Sequence, residues 1–227
     1  MSAPTKPDPA ANQPGGAAVR LRNRRGEGGR LRLSILAAAG ELLDEAGGEQ
    51  AVTLRAVARR AGIAAPSIYA HFDDPQAILL ALAQDAFTEL TEQLTGAGTD
   101  VGADADPVLR LRAVCAAYLD FAATRAQRYR VMFGGVFDVA RAHADAAITP
   151  SEAAALGQDA LAVIVDSLRA CADAGFSTST DPRADGIALW LGLHGLAHQR
   201  VAAAAFPWPA DIADRIIDPL AHLTPPG

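Results

Sequence analysis

From position 31 onward, apolar residues recur at helical spacing along most of the chain. The breaks between these stretches carry proline, glycine and capping residues rather than hairpin signals. Leu31, Ile35, Ala39, Leu42 and Ala46 lie three or four apart, which predicts a first helix, with Gly47-Gly48 as a left-handed stop. Thr53 caps a short second helix whose inward face is Val57, Ala58 and Ala61, ended at Gly62. A third helix follows at once, from Ala64 or Ala65 to Phe72, with Pro66 in its first turn. Three helices in about forty residues form a first unit.

The same reading continues to the end of the chain. Asp74-Pro75 opens a long helix over residues 75–95 with Ile78, Leu79, Leu82, Ala86, Leu90 and Leu94 inward, and 95–105 reads as a loop. Asp106-Pro107 opens the next helix, to about Thr124, and 126–133 forms a short one stopped by Gly134-Gly135. Thr149-Pro150-Ser151-Glu152 is a capping box that predicts a helix over 151–174. Asp181-Pro182 starts another, through Trp190 and His194 to Val201, and a last helix reaches Pro219. No strand alternation appears, so the fold class is all-α, with about nine helices. Its parts are a three-helix domain over 30–74 and a longer C-terminal helical bundle over 75–227.

Charge changes this picture at the front of the chain. The net charge is −6, but residues 1–75 hold ten basic and eight acidic residues, leaving ten basic and eighteen acidic for the rest. Within 20–32 six arginines face one acid, Glu27. Residues 1–29 are rich in Pro, Gly, Ala and Arg without apolar period, which predicts a disordered basic arm. Apolar stretches are broken well before about 18 residues, and no basic n-region precedes an apolar h-region, so neither a membrane span nor export is expected. Cys115 and Cys171 sit in helical patterns without paired spacing, which makes a reducing cytoplasm the default compartment.

Two short helices joined at a tight glycine turn, the second led by small residues, are what a helix-turn-helix needs to present side chains to the major groove. The residues themselves go further. Thr53-Leu54-Arg55-Ala56-Val57-Ala58-Arg59-Arg60-Ala61-Gly62-Ile63, then Pro66-Ser67-Ile68-Tyr69-Ala70-His71-Phe72, closely resembles the DNA-binding domain of the TetR family of transcriptional repressors. The resemblance implies that Thr53, Ser67, Tyr69 and His71 contact phosphates, that Arg55, Ala65 and Ala70 face bases, and that Pro66 shares that surface. Tyr69 and Phe72 could instead be core aromatics, and His71 a solvated helix end. Ala64 stands where the family usually has Ser or Thr, and Pro75 where it usually has Lys; Ala65 and Ala70 are too short to hydrogen-bond a base edge. Affinity must then come partly from elsewhere, and Arg22, Arg24 and Arg25 of the arm are the candidates.

Further along, Trp190-Leu191-Gly192-Leu193-His194-Gly195 resembles the Trp-x-x-x-His-Gly motif of one type of C-terminal domain in that family. Tyr118, Phe121, Met132, Phe133, Phe137, Leu161, Val165, Trp190 and His194 are the residues expected around a cavity for an apolar small molecule. His194 and His198 are one turn apart, but no carboxylate or cysteine completes a metal set, so no metal and no cofactor are expected. A nucleophile–base pair and a phosphate loop are also missing, which argues against an enzyme. The resemblance implies a homodimer, built on 151–174 and 183–204, bound to a palindromic double-stranded operator and released by an apolar effector. The alternative is a ligand-binding protein that has lost DNA recognition, and whether such a regulator represses or activates depends on operator position.

Overall fold

The computed structural model describes residues 27–46, 48–102, 105–133 and 149–224. Among them the regular structure is helical, with one isolated bridge between Ser177 and Leu223. The helices are α1 (Glu27–Ala46), α2 (Leu54–Arg60), α3 (Ala65–Ile68), α4 (Pro75–Asp100), α5 (Pro107–Thr124), α6 (Ala126–Phe133), α7 (Pro150–Ala155), α8 (Gln158–Asp173), α9 (Pro182–Ala202) and α10 (Ile212–Leu220).

Local chemistry fixes five of the ten described helix starts. Thr53 accepts from Ala56 N–H at 3.2 Å, Asp74 from Ala77 N–H at 2.8 Å, Asp106 from Val108 N–H at 2.8 Å and Asp181 from Ala184 N–H at 3.1 Å. The capping box closes in both directions: Glu152 N–H donates to Thr149 Oγ1 and Thr149 N–H to Glu152 Oε2. Gly62, at φ +67, ends α2 in a left-handed turn, in which Ile63 N–H reaches Ala58 C=O at 3.0 Å.

Five boundaries differ from the sequence reading. α1 begins at Glu27 rather than near 31, so residues 27–29 are helical and not part of a disordered arm; residues 1–26 lie outside the described residues. Its buried face is Ile35, Leu36, Ala39 and Leu43, with Leu42 half-buried and Ala46 exposed. Gly48 is extended (φ −172) rather than left-handed, and Gly47 lies outside the described residues, as do Gly134 and Gly135. α4 runs on through the expected loop to Asp100, because Gly98 packs against α5: a Cβ there would sit 3.3 Å from Val114 and 3.6 Å from Arg110. Tertiary contact outweighs the low propensity of that stretch. The helix expected over 151–174 is broken at Gly157, whose φ of +75 turns the chain where the Phe87 ring leaves no room for a side chain; a Cβ would lie 2.6 Å from it. Finally, α3 is one turn long, and residues 69–71 continue as a turn that Phe72 N–H closes on Ile68 C=O at 3.0 Å.

Two apolar cores result. Ile35, Val57, Ile68, Phe72 and Ile78 anchor the first; Leu94, Leu111, Tyr118, Phe121, Leu168, Leu189 and Leu193 anchor the second. α4 belongs to both, giving Ile78, Leu79 and Leu82 to one and Leu90 and Leu94 to the other. α6 also straddles them, with Val131 in the first core and Tyr129 in the second. Among the described residues no helix is long and apolar enough to cross a membrane.

Candidate functional site

The α2–α3 unit puts its apolar and polar residues on opposite sides. Leu54, Val57, Ala58, Ile68 and Phe72 are buried, while Thr53, Arg55, Arg59, Ala64, Ala65, Pro66, Tyr69 and Ala70 are exposed, with Ser67 and His71 half-exposed beside them. Tyr69 is 56% exposed, too open for a core aromatic, whereas Phe72 is buried at 4%. Thr53 uses its oxygen to cap α2 and keeps its hydroxyl proton for an outside acceptor. Ala64 makes no side-chain cap, and Pro66 supplies no backbone N–H, so the start of α3 offers few donors of its own.

The basic residues divide into two groups. Arg60 donates to Glu45 at 2.6 and 3.0 Å and to Glu41 at 3.1 Å, tying α2 to α1. That bond to Arg60 holds the Glu45 carboxyl below the usual carboxylate range. Arg32 lies over the Phe72 ring at 4.5 Å. Arg55 and Arg59, by contrast, stand exposed on the α2 surface. Arg22, Arg24 and Arg25 lie outside the described residues.

The second candidate site is an apolar cavity of about 150 Å³ enclosed by α4, α5, α6, the α7–α8 corner and α9. Four of the residues expected to line it do so: Tyr118, Phe133, Leu161 and Trp190. Phe121 is fully buried in the second core, Met132 packs against that core, and Val165 packs against Gly186; none of the three is on the cavity wall. Phe137 lies outside the described residues. Phe87, Leu90, Leu94, Leu156, Gly157, Gln158, Ala160 and Ile164 make up the rest of its described wall. Phe87 had a signal in the sequence, a large aromatic one position off the apolar repeat of α4. Its ring meets Phe133 edge-on at 5.5 Å.

His194 stands behind this wall rather than on it. Its Nδ1 is 2.6 Å from the Tyr129 hydroxyl and 3.3 Å from that of Tyr118, and the two hydroxyls are 3.1 Å apart. The bonds are satisfied when His194 is neutral with its proton on Nε2, Tyr129 donates to Nδ1 and Tyr118 donates to Tyr129. Burial, then the charge of His198, lowers the His194 pKa; burial pushes the Tyr129 hydroxyl up to about 12 and Tyr118 higher. Among the described residues no group of three or more metal-ligating side chains forms, and His198 is exposed.

The sign of the His194 shift makes a pH prediction. From about a pH unit above 6.5 the imidazole is neutral in both folded and unfolded chains, so it contributes no pH dependence there. Below that value the unfolded chain takes up the proton first, and stability falls as pH drops toward the lowered folded value. Thermal melts at pH 7.5 and 5.5 should show this fall, and it should shrink in His194→Gln; an equal fall in both proteins removes His194 as its source.

Comparison with known proteins follows the same division of the chain. Residues 35–82 match the family model described as bacterial regulatory proteins, tetR family, and residues 111–223 match that of a tetracyclin repressor-like, C-terminal domain. The fold is similar to that of a protein of unknown function from Rhodococcus sp. RHA1, at 24% identity and a TM-score of 0.69, over 90% of this chain and 97% of that one. It is similar to a bacterial regulatory protein of the tetR family from Rhodococcus RHA1, at 20% identity and a TM-score of 0.59, over 85% and 95% of the two chains. It is also similar to the TetR family transcriptional regulator PfmR from Thermus thermophilus, at 20% identity and a TM-score of 0.58, over 84% and 99%. No curated protein matches the chain.

Proposed function

Because this chain belongs to the tetR family of bacterial regulatory proteins, we propose that it is a cytoplasmic, homodimeric repressor that leaves a palindromic operator when an apolar small molecule enters its C-terminal cavity. The observation that carries this reading is the shared helix α4. Its first half is packed into the helix-turn-helix core, and its second half supplies Leu90 and Leu94, with Phe87, to the cavity wall. A ligand that fits the cavity in only one tilt of α4 then binds the two states unequally, and that difference alone sets the release.

On the DNA side, Thr53, Ser67, Tyr69 and His71 contact phosphates, and Arg55 reads a base through its two-pronged guanidinium. Ala65, Pro66 and Ala70 give apolar contact, such as to thymine methyl groups, and Arg22, Arg24 and Arg25 add electrostatic attachment. The face of α2–α3 supports these roles by leaving Thr53, Arg55, Ala65, Pro66, Tyr69 and Ala70 exposed, with Ser67 and His71 half-exposed beside them.

Gel shifts with the duplex upstream of its own gene, against random duplex and over a salt series, test the reading. Binding no tighter than to random DNA rejects operator recognition. That outcome favours the second reading, a ligand-binding protein without DNA specificity, which the uncapped Ala64 and the short Ala65 and Ala70 support. Arg55→Ala should lower discrimination between operator and random duplex by about tenfold or more, at about 1–3 kcal/mol for a paired base contact. Tyr69→Ala should instead weaken both complexes alike, and an unchanged specificity ratio in Arg55→Ala would remove that residue from base reading.

A further inference from the structure

We infer that the cavity takes an uncharged aromatic molecule of single-ring size. This rests on reading the C-terminal half as the effector domain, and adds which chemistry the effector has. Size is the first argument. The cavity measures about 150 Å³, roughly the size at which an apolar protein cavity takes up benzene and well under the roughly 300–1,000 Å³ of drug-sized pockets. A long acyl chain or a biphenyl exceeds that volume.

The wall supplies the second argument. Phe87, Tyr118, Phe133 and Trp190 bring four aromatic side chains to one small space, with Leu90, Leu94 and Ile164 filling the gaps between them. Aromatic faces and edges at such spacing favour another ring in offset or edge-on contact.

Charge supplies the third. Among the described residues of the wall Tyr118 is the one ionisable group, and its burial keeps it a neutral phenol. A carboxylate or an ammonium inside would therefore be desolvated with no opposite charge to meet it. Outside, a groove of about 330 Å³ shares Phe87, Leu156 and Gly157 with the cavity and is edged by Glu92, Glu152 and Asp159. Those carboxylates further oppose an anionic visitor. One neutral hydrogen-bonding group on the ring remains acceptable, because Tyr118, Trp190 and Gln158 are polar side chains on the wall.

Calorimetric titration of the full chain with 4-methylphenol, 4-methylbenzoate, 4-methylbenzylamine, 4-methylcyclohexanol and 4-phenylphenol tests this. The first should bind at least tenfold more tightly than each of the other four, and should raise the melting temperature. Leu161→Trp, which fills the space from its half-buried edge, should abolish that binding; Leu156→Phe does the same from the α7–α8 corner should the first variant fail to fold. Equal or tighter binding of either charged analogue overturns the charge argument, of the saturated ring the aromatic one, and of 4-phenylphenol the size limit. No binding of 4-methylphenol, or unchanged binding in the filled variants, overturns the inference as a whole. Operator affinity, measured on the same protein without any probe, separates the two levels: its absence defeats the regulator reading while the titrations still judge the cavity.

Discussion

Leu191→Arg is expected to convert a dimer into a monomer and to lower operator affinity by about 10²–10⁴-fold. Leu191 is 55% exposed on α9, an unusual position for a large apolar side chain near the middle of a long helix. Ala184, Gly195 and Ala202 are exposed on the same helix, with Ala188 half-buried, and 184, 188, 191, 195 and 202 fall on one face at helical spacing. Gly195 sharpens the argument. A Cβ there would meet no atom within 4 Å, whereas one at Gly192 would sit 2.7 and 2.8 Å from Leu220 and Ile216 of α10. Gly192 therefore serves packing within the protomer, whereas Gly195 borders open space on the outer face, where the proposed dimer would form. A two-fold axis across this face would bring the small residues of two α9 helices together and bury Leu191. An arginine there places two desolvated charges near that axis. Without a tethered second subunit the other half-site no longer adds to the affinity, which is where the expected factor originates. Sedimentation and gel shift on the variant check it; a dimer that persists with native operator affinity moves the interface off this face of α9.

What the sequence disclosed and what it concealed follow from the range of the forces involved. Helix starts were readable because a cap is a contact between neighbours in sequence: Asp74-Pro75, Asp106-Pro107, Thr149 with Glu152 and Asp181-Pro182 each declare themselves within four residues. The end of α4 was not readable, because Thr95, Gly96, Gly98 and Thr99 have loop chemistry and are held helical by the surface of α5. The same holds for Gly157, which interrupts a plausible helix because Phe87 occupies the space beside it from seventy residues away in the chain. The helix-turn-helix is a local motif, and its inner and outer faces could be assigned residue by residue. The cavity is assembled from five helical segments; sequence patterning finds the apolar residues but does not say which of them line a space and which, like Phe121, fill one.

Phe72→Ala should destabilise the N-terminal domain by about 3–5 kcal/mol and abolish operator binding, though residue 72 itself faces inward. α3 is a single turn, with no side-chain cap at Ala64 and no N–H at Pro66. Its position is set instead by Ile68 and Phe72, both buried against Ile35, Val57 and Ile78. Removing the ring leaves a void under the turn that carries Tyr69, Ala70 and His71, and the two hydrogen bonds to Ile68 C=O, from His71 and Phe72 N–H, cannot hold that turn alone. Two neighbours provide the controls. Arg32→Ala takes away the guanidinium stacked 4.5 Å above the ring and should cost about 0.5–1 kcal/mol. Tyr69→Ala touches an exposed side chain and should leave stability within about 0.5 kcal/mol while it weakens DNA binding. Urea unfolding followed by a probe in the N-terminal domain, beside gel shifts on all three variants, gives the comparison. If Phe72→Ala costs no more than Arg32→Ala, the ring is not what seats the recognition turn, and the exposed face it supports must be held by the α1–α2 ion pairs of Arg60 instead.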